Sequence, residues 1–296
     1  MFQKILIAVD GSYGGERAAQ VGLGLAGRLG SRVVLVHVLD GWSTAPPRLT
    51  QVGREEARAQ GQTLLTRWQA GAAQRGLEAE IRLRELTEPA EGIVAVAQQE
   101  DCDLIVMGTH SREGLARLLL GSVAERASRL APVPVLLVRS TTPTSEPVEF
   151  RRVLVPIDGS ELSNLALDQA KKLVGYLGAK LLVLFVEPRA LLLVLEALEE
   201  YPEEQEKYLH RARSLIDQAV QDFPEAEAIW REAGAERIGD VIAQVAKERG
   251  VDLIVMGTHG RTGLDRVLLG SVAERVTHRA HCAVLLVRQA KGGSVA

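Results

Sequence analysis

The chain has 296 residues, of which 46% are hydrophobic and 25% charged, and its formal net charge is −3. At roughly 100–200 residues per domain, this length predicts two domains, and the hydrophobic fraction is sufficient for a core in each. The slightly negative charge and the low aromatic content of 4% argue against a surface that binds nucleic acid.

The first residues lead directly into a strand pattern at Lys4, without a recognisable secretory or transit signal. The apolar runs are far shorter than a membrane span. We therefore expect a cytoplasmic protein with no membrane partner. Cys102 and Cys282 lie at non-equivalent positions, and we expect both to be reduced and part-buried.

Five strands separated by four helices are predicted in the first half. The strand patterns are continuous and rich in β-branched residues, which is typical of parallel strands buried on both faces. The predicted strands cover residues 4–9, 32–39, 78–85, 104–107 and 134–139. The first predicted helix follows Asp10-Gly11-Ser12, and the second covers about residues 50–74. The third has Thr87 as its cap and Pro89 in its first turn, and it reaches about residue 100. The fourth covers residues 122–130.

The pattern restarts after a Pro/Ser/Thr-rich linker at 141–150, so that the predicted domains are residues 1–140 and 151–290, with a frayed tail at 291–296. The strands of the second half are predicted at 152–157, 180–186, 228–231, 253–256 and 283–288. The halves diverge most at Pro188–Glu206, an apolar turn followed by an acidic run. This segment could be a helix that packs on its own domain, or a patch that faces a partner.

An internal repeat is the strongest feature of the sequence. Asp103–Arg126 and Asp252–Arg275 align over 24 positions and differ at only four of them, among them Ser111, which replaces Gly260. Each copy carries the glycine spacing G-x2-G-x9-G-S or a near match. Glycines let the backbone approach a ligand, and unpaired N–H groups at a helix start favour phosphate. The alternative is a purely structural role, in which the glycines form a tight turn and the serine is an N-cap.

Consecutive strand–helix–strand units predict two doubly wound parallel sheets, each with the strand order 3-2-1-4-5. Ligands of such sheets bind outside the carboxyl ends of the strands, where the strand order reverses. Asp10 should therefore meet Gly108, and Asp158 should meet Gly257. Because the fifth strands are apolar edges that need covering, we also expect them to pair across the domains as an internal pseudo-dimer.

Both halves resemble the universal stress protein family over nearly the whole chain, as a tandem two-domain member. The loop G-x2-G-x9-G-[ST] is the signature of the ATP-binding branch of that family. The second half matches it at Gly257, Gly260, Gly270 and Ser271. The first half departs from it at Ser111.

The resemblance implies two Rossmann-like domains that bind ATP. It implies that the aspartates contact the nucleoside, that the second strands line the adenine pocket, and that the last Gly-Ser-Val holds the phosphates. The implied site of the first half consists of Ala8, Val9, Asp10, Val38, Met107, Gly108, Ser111, Arg112, Gly121, Ser122 and Val123. That of the second half consists of Pro156, Ile157, Asp158, Val186, Met256, Gly257, Gly260, Arg261, Gly270, Ser271 and Val272.

Several roles stay open from the residues alone. Asp10 and Asp158 could instead form Asx turns. If position 111 needs a positive φ, Ser111 costs of order 1 kcal/mol and weakens the first site by roughly fivefold to tenfold; otherwise its hydroxyl adds a donor. No catalytic residue is assigned.

The loop side chains leave similar alternatives. His110 and His259 could be exposed loop residues or catalytic ones, and Arg112, Arg261, Arg117 and Arg266 could pair with phosphates or be solvated. The sequence shows no recognisable cluster of protein metal ligands, and we expect Mg²⁺ to be coordinated mainly by the phosphates.

Three functions compete. The first is an ATP-binding stress and signalling protein with at most slow hydrolysis. The second is an enzyme of the wider adenine-nucleotide-binding α/β group, and the third is an interaction protein without nucleotide. A protein partner, or a homodimer beyond the pseudo-dimer, is compatible with all three.

Overall fold

The structure is a computed structural model that describes residues 1–39, 47–86, 88–109, 120–139, 150–187, 202–221, 223–259 and 269–289. The chain divides into two compact units. The first comprises Met1–Val148 and Gln289–Ala296, and the second comprises Glu149–Arg288.

The first unit alternates strands and helices. Its strands are β1 (Lys4–Ala8), β2 (Arg32–Leu39), β3 (Ala79–Glu85), β4 (Leu104–Gly108) and β5 (Val135–Val138). Its helices are α1 (Tyr13–Leu29), α2 (Pro47–Gln74), α3 (Pro89–Gln99) and α4 (Ser122–Leu130). The strands are parallel, in the order β3-β2-β1-β4-β5, as the sequence predicts.

The second unit repeats this arrangement in its described part. Its strands are β6 (Arg152–Ile157), β7 (Lys180–Glu187), β8 (Glu227–Glu232), β9 (Leu253–Gly257) and β10 (Ala283–Val287). Its helices are α5 (Glu161–Leu177), α6 (Pro202–Gln221), α7 (Ile238–Glu248) and α8 (Ser271–Arg279). The strands are again parallel, in the order β8-β7-β6-β9-β10.

The core of each unit is built from its central strands. Ile5, Leu6 and Ile7 of β1 are fully buried, as are Leu253, Ile254 and Val255 of β9. Burial on both faces explains why these strands read as unbroken apolar runs. At about 25 cal/mol per Å² of buried apolar surface, such strands supply the main stabilisation of each sheet.

Helices α1 and α5 start and stop on matched signals. The Oγ atoms of Ser12 and Ser160 accept the N–H groups of Gly15 and Ser163 at 3.1 and 3.2 Å. Each helix ends at a glycine in the left-handed region, with φ of 69° in α1 and 66° in α5. Glycine adopts this conformation at little cost, which explains why both helices end at this residue type.

Some predicted boundaries are wrong. Helix α2 begins at Pro47, three residues before the predicted start. The cap of α3 is Glu88 and not Thr87, because Pro89 occupies the first helical position and the cap must precede it directly. Residues 22–27 also have the glycine spacing G-x-G-x-x-G of dinucleotide-binding loops, but they lie inside α1 and not at a strand–helix turn. An added Cβ on Gly22 would meet Ile7 Cδ1 at 2.6 Å, so this glycine is needed for the packing of α1 on β1.

The remaining expectations meet the structure only in part. Residues 141–149 of the predicted linker at 141–150, the tail at 291–296 and most of Pro188–Glu206 lie outside the described residues. The domain limits and the pairing of the fifth strands stay predictions. Both cysteines are free and only 4% exposed, which is deeper than expected, and burial raises the pKa of the Cys102 thiol to about 12. None of the helices described is long and apolar enough to cross a membrane.

Candidate functional site

A pocket of about 360 Å³ opens at the carboxyl ends of the strands of the first unit. It is formed where β1 and β4 end side by side, at the reversal of strand order. Its described lining residues are Ala8, Val9, Asp10, Gly15, Val36, His37, Val38, Pro89, Ile93, Met107, Gly108, Thr109, Gly121, Ser122, Val123 and Ala124. The pocket thus brings together nine of the residues that the sequence assigns to the first site.

A short backbone bond anchors the helix that closes the pocket. The N–H of Gly121, the cap of α4, donates to the carbonyl of Thr109 at 2.7 Å. The second unit repeats the bond between Gly270 and Thr258 at 2.8 Å. Each bond holds the start of the last helix against the end of the fourth strand.

The first turn of this helix offers free donors. The first intrahelical bond of α4 runs from the N–H of Glu125 to the carbonyl of Gly121 at 2.9 Å. The N–H groups of Ser122, Val123 and Ala124 precede that bond and therefore have no partner within the helix. In α8 the same bond joins Glu274 and Gly270 at 2.8 Å. Both helix starts are suited to an anion.

The serine N-cap that the sequence left open as an alternative is wrong. In both units the cap residue is the glycine, and no side chain caps the helix. Ser122 and Ser271 are the first helical residues and are exposed. Their hydroxyl groups are not used as caps.

Asp10 and Asp158 do form Asx turns. The Oδ1 of Asp10 accepts the N–H of Ser12 at 3.0 Å and its hydroxyl at 2.5 Å. The Oδ1 of Asp158 accepts the N–H of Ser160 at 2.9 Å. One oxygen of each carboxylate thus shapes the turn before the first helix. Asp10 also lines the pocket, so the turn role and the pocket position coexist.

Gly108 and Gly257 let the first helix approach the end of the fourth strand. A Cβ on Gly108 would lie 2.6 Å from the carbonyl carbon and oxygen of Gly14. A Cβ on Gly257 would lie 2.9 Å from the Cβ of Leu162. Backbone atoms cannot move aside as a flexible side chain can, so the first contact is the stricter one. These glycines are needed for helix packing as well as for an open pocket floor.

The second unit places its predicted residues at equivalent positions. Pro156 and Ile157 end β6, and Met256 and Gly257 end β9 in register with Leu286 and Val287. The ladder between β6 and β9 stops after Leu154 and Ile254, before Pro156, which has no N–H to donate.

Val186 and Met256 are buried, at 7% and 5% exposure.

His259 lies beside the start of α8. Its Nδ1 is 3.0 Å from the Oγ1 of Thr258, and its Nε2 is buried without a hydrogen-bond partner among the described residues. Burial, together with the positive charge of Arg288, lowers the pKa of His259. His259 is part-buried, and it is therefore not the exposed loop residue that the sequence left open as an alternative.

In each unit an ion pair joins the last helix to the helix that precedes the fourth strand. Arg126 of α4 donates to Glu91 of α3 at 2.6 Å. Arg275 of α8 binds Asp240 of α7 through both Nε and Nη2, at 2.8–3.0 Å. The hydrogen bond from Arg275 lowers the pKa of Asp240.

The sequence reading missed several lining residues, including Gly15, His37, Pro89 and Ile93. The carboxyl-end rule could have found His37, because it directly precedes Val38. Its Nδ1 donates to the carbonyl of Val9 at 2.7 Å. Pro89 and Ile93 reach the pocket only through the packing of α3, which no local motif signals.

Four residues of the predicted sites, Ser111, Arg112, Gly260 and Arg261, lie outside the described residues, as do His110, Arg117 and Arg266. Their predicted roles stay predictions. Among the described residues, no group of three or more His, Cys, Asp or Glu side chains is arranged to hold a metal ion.

Comparison with known proteins establishes the family. The model of the universal stress protein family matches residues 1–139 and again 149–288. The chain is 29% identical to universal stress protein Rv2005c of Mycobacterium tuberculosis, covering 96% of this chain and 97% of that protein. It is 38% identical to a universal stress protein of Thermus aquaticus, covering 47% of this chain and 100% of that protein.

A crystal structure of a universal stress protein from Archaeoglobus fulgidus has a TM-score of 0.72 at 20% identity, covering 96% of this chain and 98% of that one. At this identity the likeness concerns the fold alone. The two family matches cover most of the sequence, and the chain therefore belongs to the universal stress protein family, with one domain of that family in each half.

The close approach at Gly108 predicts a measurable cost. Gly108→Ala should lower the free energy of unfolding by about 1–3 kcal/mol, because the new methyl group overlaps the backbone of Gly14. Gly27→Ala is the matched control. Nothing lies within 4 Å of its added Cβ, and alanine in a helix should stabilise by about 0.5–1 kcal/mol. Denaturant unfolding measures both, and equal effects would contradict the packing argument.

The pair of Asp240 and Arg275 predicts a pH dependence. Because the pKa of Asp240 is lowered in the folded chain, the pair stabilises above the unfolded pKa of about 3.9, and this stability is lost as the pH falls. Asp240→Asn should therefore lower the Tm at pH 7, and its difference from the wild type should shrink as the pH falls from about 4 through the lower pKa that Asp240 has in the folded chain. Asp101→Asn, an exposed change at a left-handed position, should leave the Tm unchanged. A pH-independent loss for Asp240→Asn would refute this account.

Proposed function

We propose that this universal stress protein binds an adenine nucleotide in each unit and acts as a nucleotide-dependent stress or signalling module, with at most slow hydrolysis. The observation that carries the proposal is the pocket of the first unit. It combines an apolar wall, a carboxylate and a helix start with free N–H groups in one cavity of about 360 Å³.

The chemistry of the pocket fits the parts of a nucleotide. Val38, Met107 and Ile93 provide apolar surface for a base. Asp10 has a second carboxylate oxygen, Oδ2, that can accept from a ribose hydroxyl or an exocyclic amine. The N–H groups of Ser122 and Val123 and the hydroxyl of Ser122 can bind phosphate oxygens. Sites of this kind combine a mostly apolar wall with a few polar groups.

Mg²⁺ would be held mainly by the phosphates in this proposal, since Mg²⁺ keeps several waters and leans on substrate phosphates. The described lining residues include one carboxylate, Asp10, whose Oδ1 is already engaged by Ser12. Asp10 alone would therefore not hold the metal, and its Oδ2 stays available to the nucleoside. Asp10 sits in the turn before α1, and the phosphate-binding donors belong to α4.

A binding module is favoured over an enzyme by the same residues. The imidazole of His37 lines the pocket, but its Nδ1 is engaged by the carbonyl of Val9. Asp10 holds the turn before α1. Both groups therefore have positioning roles within the fold, and neither is placed as an activated base.

Substitution at the two helix starts tests the proposal. Ser122→Asp and Ser271→Asp each put a carboxylate where the phosphates should lie, and should reduce bound ATP from two equivalents to one. The helices should persist, because an acidic residue stabilises a helix start by about 0.3–1 kcal/mol. Calorimetry with Mg²⁺ and ATP measures the stoichiometry, and the double variant should bind none.

Thr66→Asp, which makes the same charge change at an exposed position in the middle of α2, is the control and should retain both sites. Two equivalents bound by the double variant would show that the helix starts do not hold the phosphates. If the unmodified chain shows no heat with ATP, and the denatured protein releases no adenine nucleotide, the proposed function is wrong.

A further inference from the structure

The rims of the two sites carry opposite charges at equivalent positions. In the alignment of the repeats, Glu88 corresponds to Arg237. Both residues are N-caps, Glu88 of α3 and Arg237 of α7. Pro89, the next residue after Glu88, lines the pocket of the first unit. The charge inversion therefore falls on the residue next to a lining residue of the first pocket.

The ion pairs define a rim cluster in each unit. In the first unit Arg126 contacts both Glu91, at 2.6 Å, and Glu88, at 3.5 Å. This rim cluster contains two carboxylates and one guanidinium, so its net charge is negative. All three side chains are about half exposed.

The rim cluster of the second unit is positive. Asp240 contacts Arg275 at 2.8 Å and Arg279 at 3.5 Å. The nearby charge of Arg237 also contributes to the lowered pKa of Asp240. One carboxylate thus stands against three guanidinium groups. Arg279 corresponds to the uncharged Leu130 in the first unit, so this difference also comes from the sequence and not from side-chain orientation alone.

The arginine at the centre of each rim cluster is close enough to act on a bound anion. Arg126 and Arg275 each lie four residues after the first serine of their helix, a rise of about 6 Å. At this range the interaction is only partly screened, since the Debye length is about 10 Å at 0.1 M salt. A negative rim opposes phosphate charge, and a positive rim favours it.

We propose that the rim clusters give the two sites different selectivity, so that the second site prefers nucleotides with more phosphate charge, such as ATP, and the first tolerates less charged adenylates. This inference rests on the proposed function of the same sites. Glu88 and Arg237 are the specificity-determining positions. In this proposal the helix starts hold phosphate in both units, and the charge of the rim cluster sets how strongly the affinity depends on the number of phosphates.

Each site can be measured separately in the intact chain. The Ser271→Asp chain reports the first site, and the Ser122→Asp chain reports the second. The measured quantity is the ratio of the affinity for ATP to that for neutral adenosine, obtained by calorimetry and competition in Mg²⁺ buffer. The ratio should be roughly threefold to tenfold larger in the second site at low ionic strength.

Charge swaps then test the named residues. Glu88→Arg should raise the ratio of the first site, and Arg237→Glu should lower that of the second, while adenosine affinity stays constant. Both effects should shrink at high salt, which a merely structural role would not produce. Arg249→Glu is the matched control, because Arg249 lies at the C-terminal end of the same helix α7 and pairs with Glu227.

Equal ratios in the two sites, or swaps that leave the ratios unchanged, would overturn this inference while leaving nucleotide binding intact. A chain that binds neither ATP nor adenosine at either site would overturn the proposed function itself. A larger ratio in the first site would also overturn the inference, since it would show that the rim charge does not govern selectivity.

Discussion

The hydrogen bond from the capping glycine of the last helix to the threonine after the fourth strand is the constraint on which each candidate site depends. It joins Gly121 to Thr109 in the first unit and Gly270 to Thr258 in the second. Because the bond fixes the helix start beside the strand end, the free N–H groups face the crevice where strand order reverses. Without this hydrogen bond, the glycines would belong to a loop whose N–H groups have no fixed position beside the strand end.

The two units share this frame but differ in what surrounds it. Phe185, at the position equivalent to His37, contacts Trp230 with ring centroids 4.8 Å apart. Glu187, equivalent to Leu39, is 4% exposed and accepts the indole N–H of Trp230 at 2.9 Å. The sequence repeat is therefore strict in the fourth strand and last helix, and relaxed in the second and third strands. A shared backbone frame with divergent walls is consistent with the proposal of two sites of unequal preference.

Much of the fold could be predicted from the sequence because strands buried on both faces must read as continuous apolar runs, and the repeat indicated each element twice. The switch-point rule placed Asp10 near Gly108 correctly. The predictions that were wrong or missing concerned tertiary packing or the exact residue at which a helix is capped. Pro89 shifted the cap of α3 to Glu88, the glycine and not the serine capped α4, and Ile93 reached the pocket only because α3 packs beside α4. No local pattern encodes such contacts.

The most direct test of a nucleotide site at both helix starts is a titration with ATP and Mg²⁺ followed by amide NMR of the ¹⁵N-labelled chain. The amide resonances of Ser122, Val123, Ser271 and Val272 should shift together with those of Val38 and Val186. The amide resonances of Gln3 and Gly250, which lie near the amino ends of β1 and β9, should not shift. Unchanged resonances at both helix starts, with shifts confined to other regions, would contradict the account.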